Sequence, residues 1–196
     1  MNERYEEHFT TLADVCAAPA GTRFEACTFQ GLKTPADPAD RRAQRLVGYR
    51  FEECVFKQCD LSNIDIRDAA FQDVRFEDCK LQGLRWDAAA AMNFACAWTR
   101  CNMDFAVFEG LDLRHCRFVE VRMQEADLGR ILCQNLHFER CSFPGTTWSG
   151  ADCSGADFTT SEDIVIDPES TRLRGAKFRA DQLAGLLTKH GLVVGP

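Results

Sequence analysis

FEECVFKQCDLSNIDIRDAAFQDVRFEDCKLQGLRW, residues 51–86, decides the fold. Its large apolar residues fall at Phe51, Phe56, Leu61, Ile66, Phe71, Phe76, Leu81 and Trp86, five apart throughout. Two places before each stands a smaller or medium residue: Tyr49, Cys54, Cys59, Ile64, Ala69, Val74, Cys79 and Leu84. Apolar patterns repeat at about 3.6 residues in helices and at 2 in strands, and this one does neither. A second run in a shifted phase goes from Trp98, Met103, Phe108 and Leu113 through Phe118 and Phe138 to Cys153 and Phe158. An internal repeat sustained this long sets the architecture.

The spacing has a geometric reading. Residues two apart in an extended segment point to the same side. Each unit therefore offers a small and then a large inward residue, with a polar one facing out between them. The next two residues must turn the chain, and those places hold Gly83, Gly110, Gly129, Gly145, Gly150, Gly155, Asn63, Asp68, Asp73, Asp78 and Asn135, all good turn residues. Repeating the step winds the chain around a filled core, with coils stacked at about the 4.7–4.9 Å strand spacing. It also places the cysteines. Cys27, Cys54, Cys59, Cys79, Cys96, Cys101, Cys116 and Cys141 take the small slot, Cys133 and Cys153 the large one, and Cys16 alone lies outside. Buried free cysteine acts as a small hydrophobe.

Units such as Ala126-Asp127-Leu128-Gly129-Arg130 and Ala156-Asp157-Phe158-Thr159-Thr160 resemble the pentapeptide-repeat family, across roughly residues 22–178. The resemblance implies an all-β fold: a right-handed quadrilateral β-helix with four five-residue faces per coil, closed by a short C-terminal helix. The period of five does not by itself fix four sides.

The remaining sequence fits a single domain. Residues 1–21 are expected to cap the N-terminal end, 22–178 to form the solenoid and 179–196 a C-terminal helix and tail. Segment 33–46, with Pro35, Pro38, Arg41, Arg42 and Arg45, reads as a projecting loop, and 87–95 as a bulge or helical turn that shifts the phase by two. Asp163 and Pro168 fall at centre positions, so that coil is expected to be distorted. Asp181 is placed to cap a helix from about Gln182 to His190, with Leu183, Leu186 and Leu187 as its apolar stripe and Leu192, Val193 and Val194 as a following strand. This end seals one chain or pairs two.

Composition excludes several functions. A formal charge of −7 and a pI near 5.1 argue against a nucleic-acid binder. The N-terminus shows no signal-peptide pattern and no stretch reaches membrane-helix length, so a cytoplasmic protein is expected. The eleven cysteines include no C-x-x-C pair. No phosphate loop, H-E-x-x-H or G-x-S-x-G occurs, and His8, His115, His137 and His190 have no recognisable nucleophile partner. Neither an enzyme nor a cofactor or metal site is expected.

Binding is then the expected activity. The early loop, the interruption after Gly83-Leu84-Arg85-Trp86, and the Ile166-Asp167-Pro168 segment with its helical tail resemble the gyrase-protecting members of the family: quinolone-resistance, albicidin-resistance and microcin-immunity proteins. The resemblance implies a homodimeric acidic rod that imitates DNA toward DNA gyrase or topoisomerase IV. Candidate contacts are Asp60, Asp65, Asp73, Asp78, Glu109, Asp112, Asp127 and Asp152, with Arg41, Arg42 and Arg45 of the loop. Interspersed arginines, among them Arg67, Arg75, Arg114, Arg117, Arg122 and Arg130, leave open the alternative of an interaction rod with another protein partner.

Overall fold

Repetition every five residues becomes repetition every twenty once the chain is coiled. In the computed structural model, which describes residues 2–35, 37 and 45–190, Arg50 pairs with Ala70 and Asn102 with Arg122, in parallel and in register. Four such pairings per coil make four walls, designated A to D in chain order.

Wall A begins with strands β1 (Glu3–Tyr5), β3 (Arg23–Glu25), β5 (Arg50–Glu52) and β7 (Ala70–Gln72), which form one parallel sheet. Wall B is a seven-stranded parallel sheet of β2 (His8–Phe9), β4 (Thr28–Gln30), β6 (Val55–Lys57), β8 (Val74–Glu77), β9 (Cys96–Thr99), β10 (Arg117–Val119) and β11 (Phe138–Glu139). Walls C and D are joined by single bridges: Asp60 to Lys80, Asn102, Arg122 and Ser142 on C, and Arg85 to Val107, Asp127 and Thr147 on D. No described helix is long and apolar enough to cross a membrane.

The inward pairs fill the interior. Phe51, Phe56, Phe76, Trp86, Trp98, Phe118 and Phe138 are at most 1% exposed. Because successive coils lie one strand spacing apart, identical positions stack ring on ring: Phe29 on Phe56 at 4.3 Å, Phe56 on Phe76 at 4.9 Å, Trp98 on Phe118 at 4.6 Å. Corners take left-handed backbone at Asn63, Asp68, Asp73, Asp78 and Asn135, where short side chains tolerate it. Gly129 is an exception among the expected turn glycines. It lies against Asp127, and the following Arg130 carries the positive φ of 55°.

The interruptions are measurable in the register. Lys33 pairs with Asp60, twenty-seven residues on, so seven extra residues enter before Leu46, whose N–H bonds Asp65. The chain leaves wall C after Lys33 and rejoins the rod on wall D at Leu46. Two more enter wall A between Ala88 and Cys96, after a 3-10 turn at Trp86–Ala88, since Val74 pairs with Cys96.

Both ends differ from the sequence reading. β1 and β2 pair in register with β3 and β4, so coiling starts at Glu3 rather than at residue 22. Helix α1 (Leu12–Cys16), with buried Leu12 and Val15, covers this end of the core. At the other end the core positions vacated by Asp163 and Pro168 are taken by Ile164 and Ile166, 5% and 1% exposed. The terminal helix is shorter than expected. A 3-10 turn at Ala180–Gln182 leads into α2 (Leu183–Leu187) and a second 3-10 turn at Thr188–His190. Asp181 does not cap it, because its carboxylate pairs with the Arg179 guanidinium at 3.1 Å. Nor does Leu183 join the seal. It is 47% exposed, while the buried Gln182 amide donates to the Phe158 and Ser161 carbonyls and Leu186 packs on the core. Leu192, Val193 and Val194 lie outside the described residues.

All eleven cysteines are free, and ten are buried. Burial pushes the Cys54, Cys116 and Cys141 thiols up to about 12. Native protein at neutral pH should therefore titrate with DTNB at no thiol other than the half-buried Cys16, and at all eleven in denaturant. Rapid modification of several thiols before unfolding would contradict the packed core.

Candidate protein-interaction surface

The winding separates the candidate carboxylates. Asp60 stands on wall C; Asp65, Glu109 and Asp127 on wall D; Asp112 and Asp152 on wall A, two coils apart in register. Asp73 lies at the A–B corner and Asp78 at the B–C corner, both at positive φ. No single wall gathers them.

Most are also neutralised locally. Asp65 pairs with Arg67 at 2.7 Å, Asp78 with Arg100 at 2.6 Å, Asp112 with Arg114 at 2.6 Å and Glu109 with Arg130 at 2.7 Å. Asp60 meets Lys80 at 3.8 Å and Asp152 meets Arg172 at 3.5 Å. Hydrogen bonds from the guanidinium hold Asp65, Asp78 and Asp112 below the usual carboxylate range. The Ser154 hydroxyl does the same for Asp152. Among the described residues, Asp73 and Asp127 make no ion pair; Asp127 accepts the Gly129 N–H instead. Of the loop arginines, Arg45 is exposed and its carbonyl accepts the Cys16 thiol, while Arg41 and Arg42 lie outside the described residues.

A denser group of acids lies at the N-terminal end of wall A. Glu3, Glu25 and Glu52 surround one guanidinium, that of Arg23. The adjoining A–B corner runs Glu6, Ala26, Glu53 and Asp73, one residue per coil, and its three acids make no ion pair among the described residues. The exposed Tyr5 phenol senses them: a hydrogen bond with Glu6, then the charges of Glu6, Glu25 and Glu53, raise its pKa. The sequence concealed this surface. Arg4 occupies the centre position of β1, opposite Phe24, so the first coil shows no apolar period.

Where the two extra residues enter wall A, the surface is hollowed. A cavity of about 540 Å³ lies between Gln72, Asp73, Asn93, Phe94, Asp112 and His115. It ends the run of carboxylates that goes from Glu3 to Asp73 along one side of the rod, and Asp112, paired with Arg114, stands on its far rim two coils on. Among the described residues, no group of three or more His, Cys, Asp or Glu side chains is arranged to hold a metal ion.

Comparison with known proteins agrees with this geometry. A family model described as pentapeptide repeats matches eight copies, over residues 45–83 and 99–131. A trypsin-treated variant of QnrB1, a plasmid-mediated fluoroquinolone resistance protein, superimposes with a TM-score of 0.67 at 22% identity, covering 98% of this chain and 97% of that one. Full-length QnrB1 gives 0.61 at 21% identity, with 97% of both chains covered. No curated protein matches the chain by sequence. With the repeat recognised over residues 45–83 and 99–131 and the β-helix of QnrB1 shared along nearly its whole length, this chain carries pentapeptide repeats wound into that fold.

Proposed function

We propose that this protein is a non-enzymatic, cytoplasmic binding protein that engages a type II topoisomerase, DNA gyrase or topoisomerase IV, and relieves it of a poison or toxin. The observation that carries the reading is the carboxylate run on wall A and its A–B corner, from Glu3 to Asp73. Each of the first four coils places a carboxylate there, Glu3 and Glu6, then Glu25, then Glu52 and Glu53, then Asp73, and this repeat at about 4.8 Å offers a DNA-binding groove the charge pattern it is built to receive. The fold shared with QnrB1, a fluoroquinolone resistance protein, points the same way. A homodimer through the C-terminal end is part of the proposal. Leu173 and Phe178 there are only partly buried, and Val165 and Leu183 are 48% and 47% exposed, leaving apolar surface for a second copy.

A supercoiling assay with purified gyrase, with and without a quinolone, tests the reading. The protein is expected to restore supercoiling in the presence of the drug, and the double variant E53K/D73K to lose that effect while melting normally. Absence of any effect by the unaltered protein on gyrase or topoisomerase IV would overturn it. The paired acids of wall D, Asp65 with Arg67 and Glu109 with Arg130, would then favour an interaction rod with a different protein partner.

A further inference from the structure

The C–D corner, diagonally across the rod from the acidic A–B corner, carries an anomaly. Its column runs Asn63, Gly83, Phe105, Glu125, Gly145, one residue per coil, with φ values of 56°, 66°, 62°, 51° and 69°. Left-handed backbone suits Asn and Gly, and the longer side chains that also hold it in this rod, such as Arg100 and Arg130, end in charged heads that reach Asp78 and Glu109, which an exposed phenyl ring cannot do. Phe105 is the only aromatic at positive φ among the described residues, and its ring is 50% exposed. The core does not need that ring, since Met103, Ala106 and Phe108 already fill the inward positions of this coil. An unfavourable backbone setting with no packing return marks a residue retained for contact with something else.

Its surroundings describe that contact. One coil on, Glu125 and Asp127 stand beside Phe105-Ala106-Val107, with Val107 bridged to Asp127, and neither carboxylate makes an ion pair among the described residues. On the other side a recess of about 470 Å³ opens from Asn63 and Gly83 on this edge and crosses wall D past Ile64 and Ile66 to Arg67 and Arg85. An aromatic knob flanked by two carboxylates that no cation neutralises is complementary to an apolar socket rimmed by basic side chains. Interface anchors are of this kind, a rigid aromatic seated in a partner pocket.

We propose that Phe105 is the anchor of a second contact edge, which holds the rod in the topoisomerase groove from the side opposite wall A. This rests on the topoisomerase reading above. A groove shaped for a double helix encloses it, so a rod lying there meets protein on opposite edges. The acidic corner supplies charge on one, and Phe105 with Glu125 and Asp127 supplies an apolar fixing point on the other.

The substitution F105N separates a contact role from a structural one, because Asn accepts left-handed backbone. Equilibrium binding to purified gyrase and thermal denaturation are measured side by side on the unaltered protein, F105N and E53K/D73K. F105N is expected to weaken binding at least about tenfold. It should also raise the denaturation midpoint by about 2–4 °C, through relief of the backbone. Unchanged binding by F105N, beside tight binding by the unaltered protein, would overturn the anchor and leave the topoisomerase reading standing. A lowered midpoint would make Phe105 a structural residue and also overturn it. If the unaltered protein does not bind gyrase, the topoisomerase reading and the anchor fall together.

Discussion

Replacing Phe138 with alanine is expected to cost about 3–5 kcal/mol of folding stability, among the largest effects available to a single substitution here. The ring is fully buried in β11, between Phe118 at 5.3 Å and Phe158 at 5.1 Å along the rod. Phe143 and Trp148 close on it edge-on at 5.3 and 5.9 Å. Its loss removes apolar burial and leaves a cavity, and the cavity has little means of closing. Neighbouring coils are held at strand spacing by the backbone ladder, where the Phe138 N–H bonds the Asp157 carbonyl at 3.0 Å and the Phe138 carbonyl accepts the Ser161 hydroxyl at 2.6 Å. Side chains above and below cannot sink into the gap without breaking that ladder. In a solenoid each coil is stabilised by its two neighbours, so damage in the middle counts twice. Phe178→Ala is the comparison: it occupies the same wall in the last coil, is only partly buried, and stacks on Phe158 alone at 5.1 Å. Its loss should cost clearly less. Chemical denaturation of both variants decides the matter, and a change below about 1 kcal/mol for Phe138→Ala would mean the ring is not enclosed as described.

The contrast between these two positions also explains what the sequence could convey. Inward residues such as Phe56, Phe76 and Phe118 answer to one demand, filling a core of fixed cross-section, so they repeat audibly every five places. The corners answer to another, a left-handed backbone, and Asn63, Asp68 and Asp73 announce it. Where a different force takes over, the signal stops. Arg4 at a centre position hides the first coil, and Asp163 and Pro168 hide the handover of the core to Ile164 and Ile166. The interaction surface was harder still. Which acids share a wall depends on the number of residues per coil, and seven extra residues before Leu46 and two before Cys96 displace every later position. A list of acids read along the chain therefore mixes walls, and it includes Asp65, Asp78 and Asp112, whose charges are met by arginines only two residues or one coil away. Glu6 and Glu53, which the structure aligns with Asp73, were legible only as isolated glutamates.

The second large effect concerns Gly185, where helix propensity and tertiary packing predict opposite signs. Gly185 lies inside α2, and alanine in a helix interior is ordinarily worth about 1 kcal/mol more than glycine. Here a Cβ would stand 1.9 Å from the Ile164 carbonyl oxygen and 3.0 Å from its carbon, both backbone atoms with no rotamer to change. The helix has to move away. With it would go the Gln182 amide bonds to Phe158 and Ser161 at 3.0 and 2.6 Å, and the Lys189 pairs with Asp167 and Glu169 at 2.8 and 2.7 Å. G185A is therefore expected to destabilise rather than stabilise, and G185V to cost about 2–3 kcal/mol, toward the upper part of the usual overpacking range. The loss should be local, because the terminal coil has a neighbour on one side only. Hydrogen exchange should quicken over residues 161–190 and stay slow at Phe118 and Phe138. Uncovering Phe158 and Phe178 opens the apolar end of the solenoid, so G185V should also self-associate beyond the unaltered protein in size-exclusion chromatography. A gain of stability in G185A would show that α2 does not rest on the Ile164 backbone, and the terminal seal would then have to be sought elsewhere.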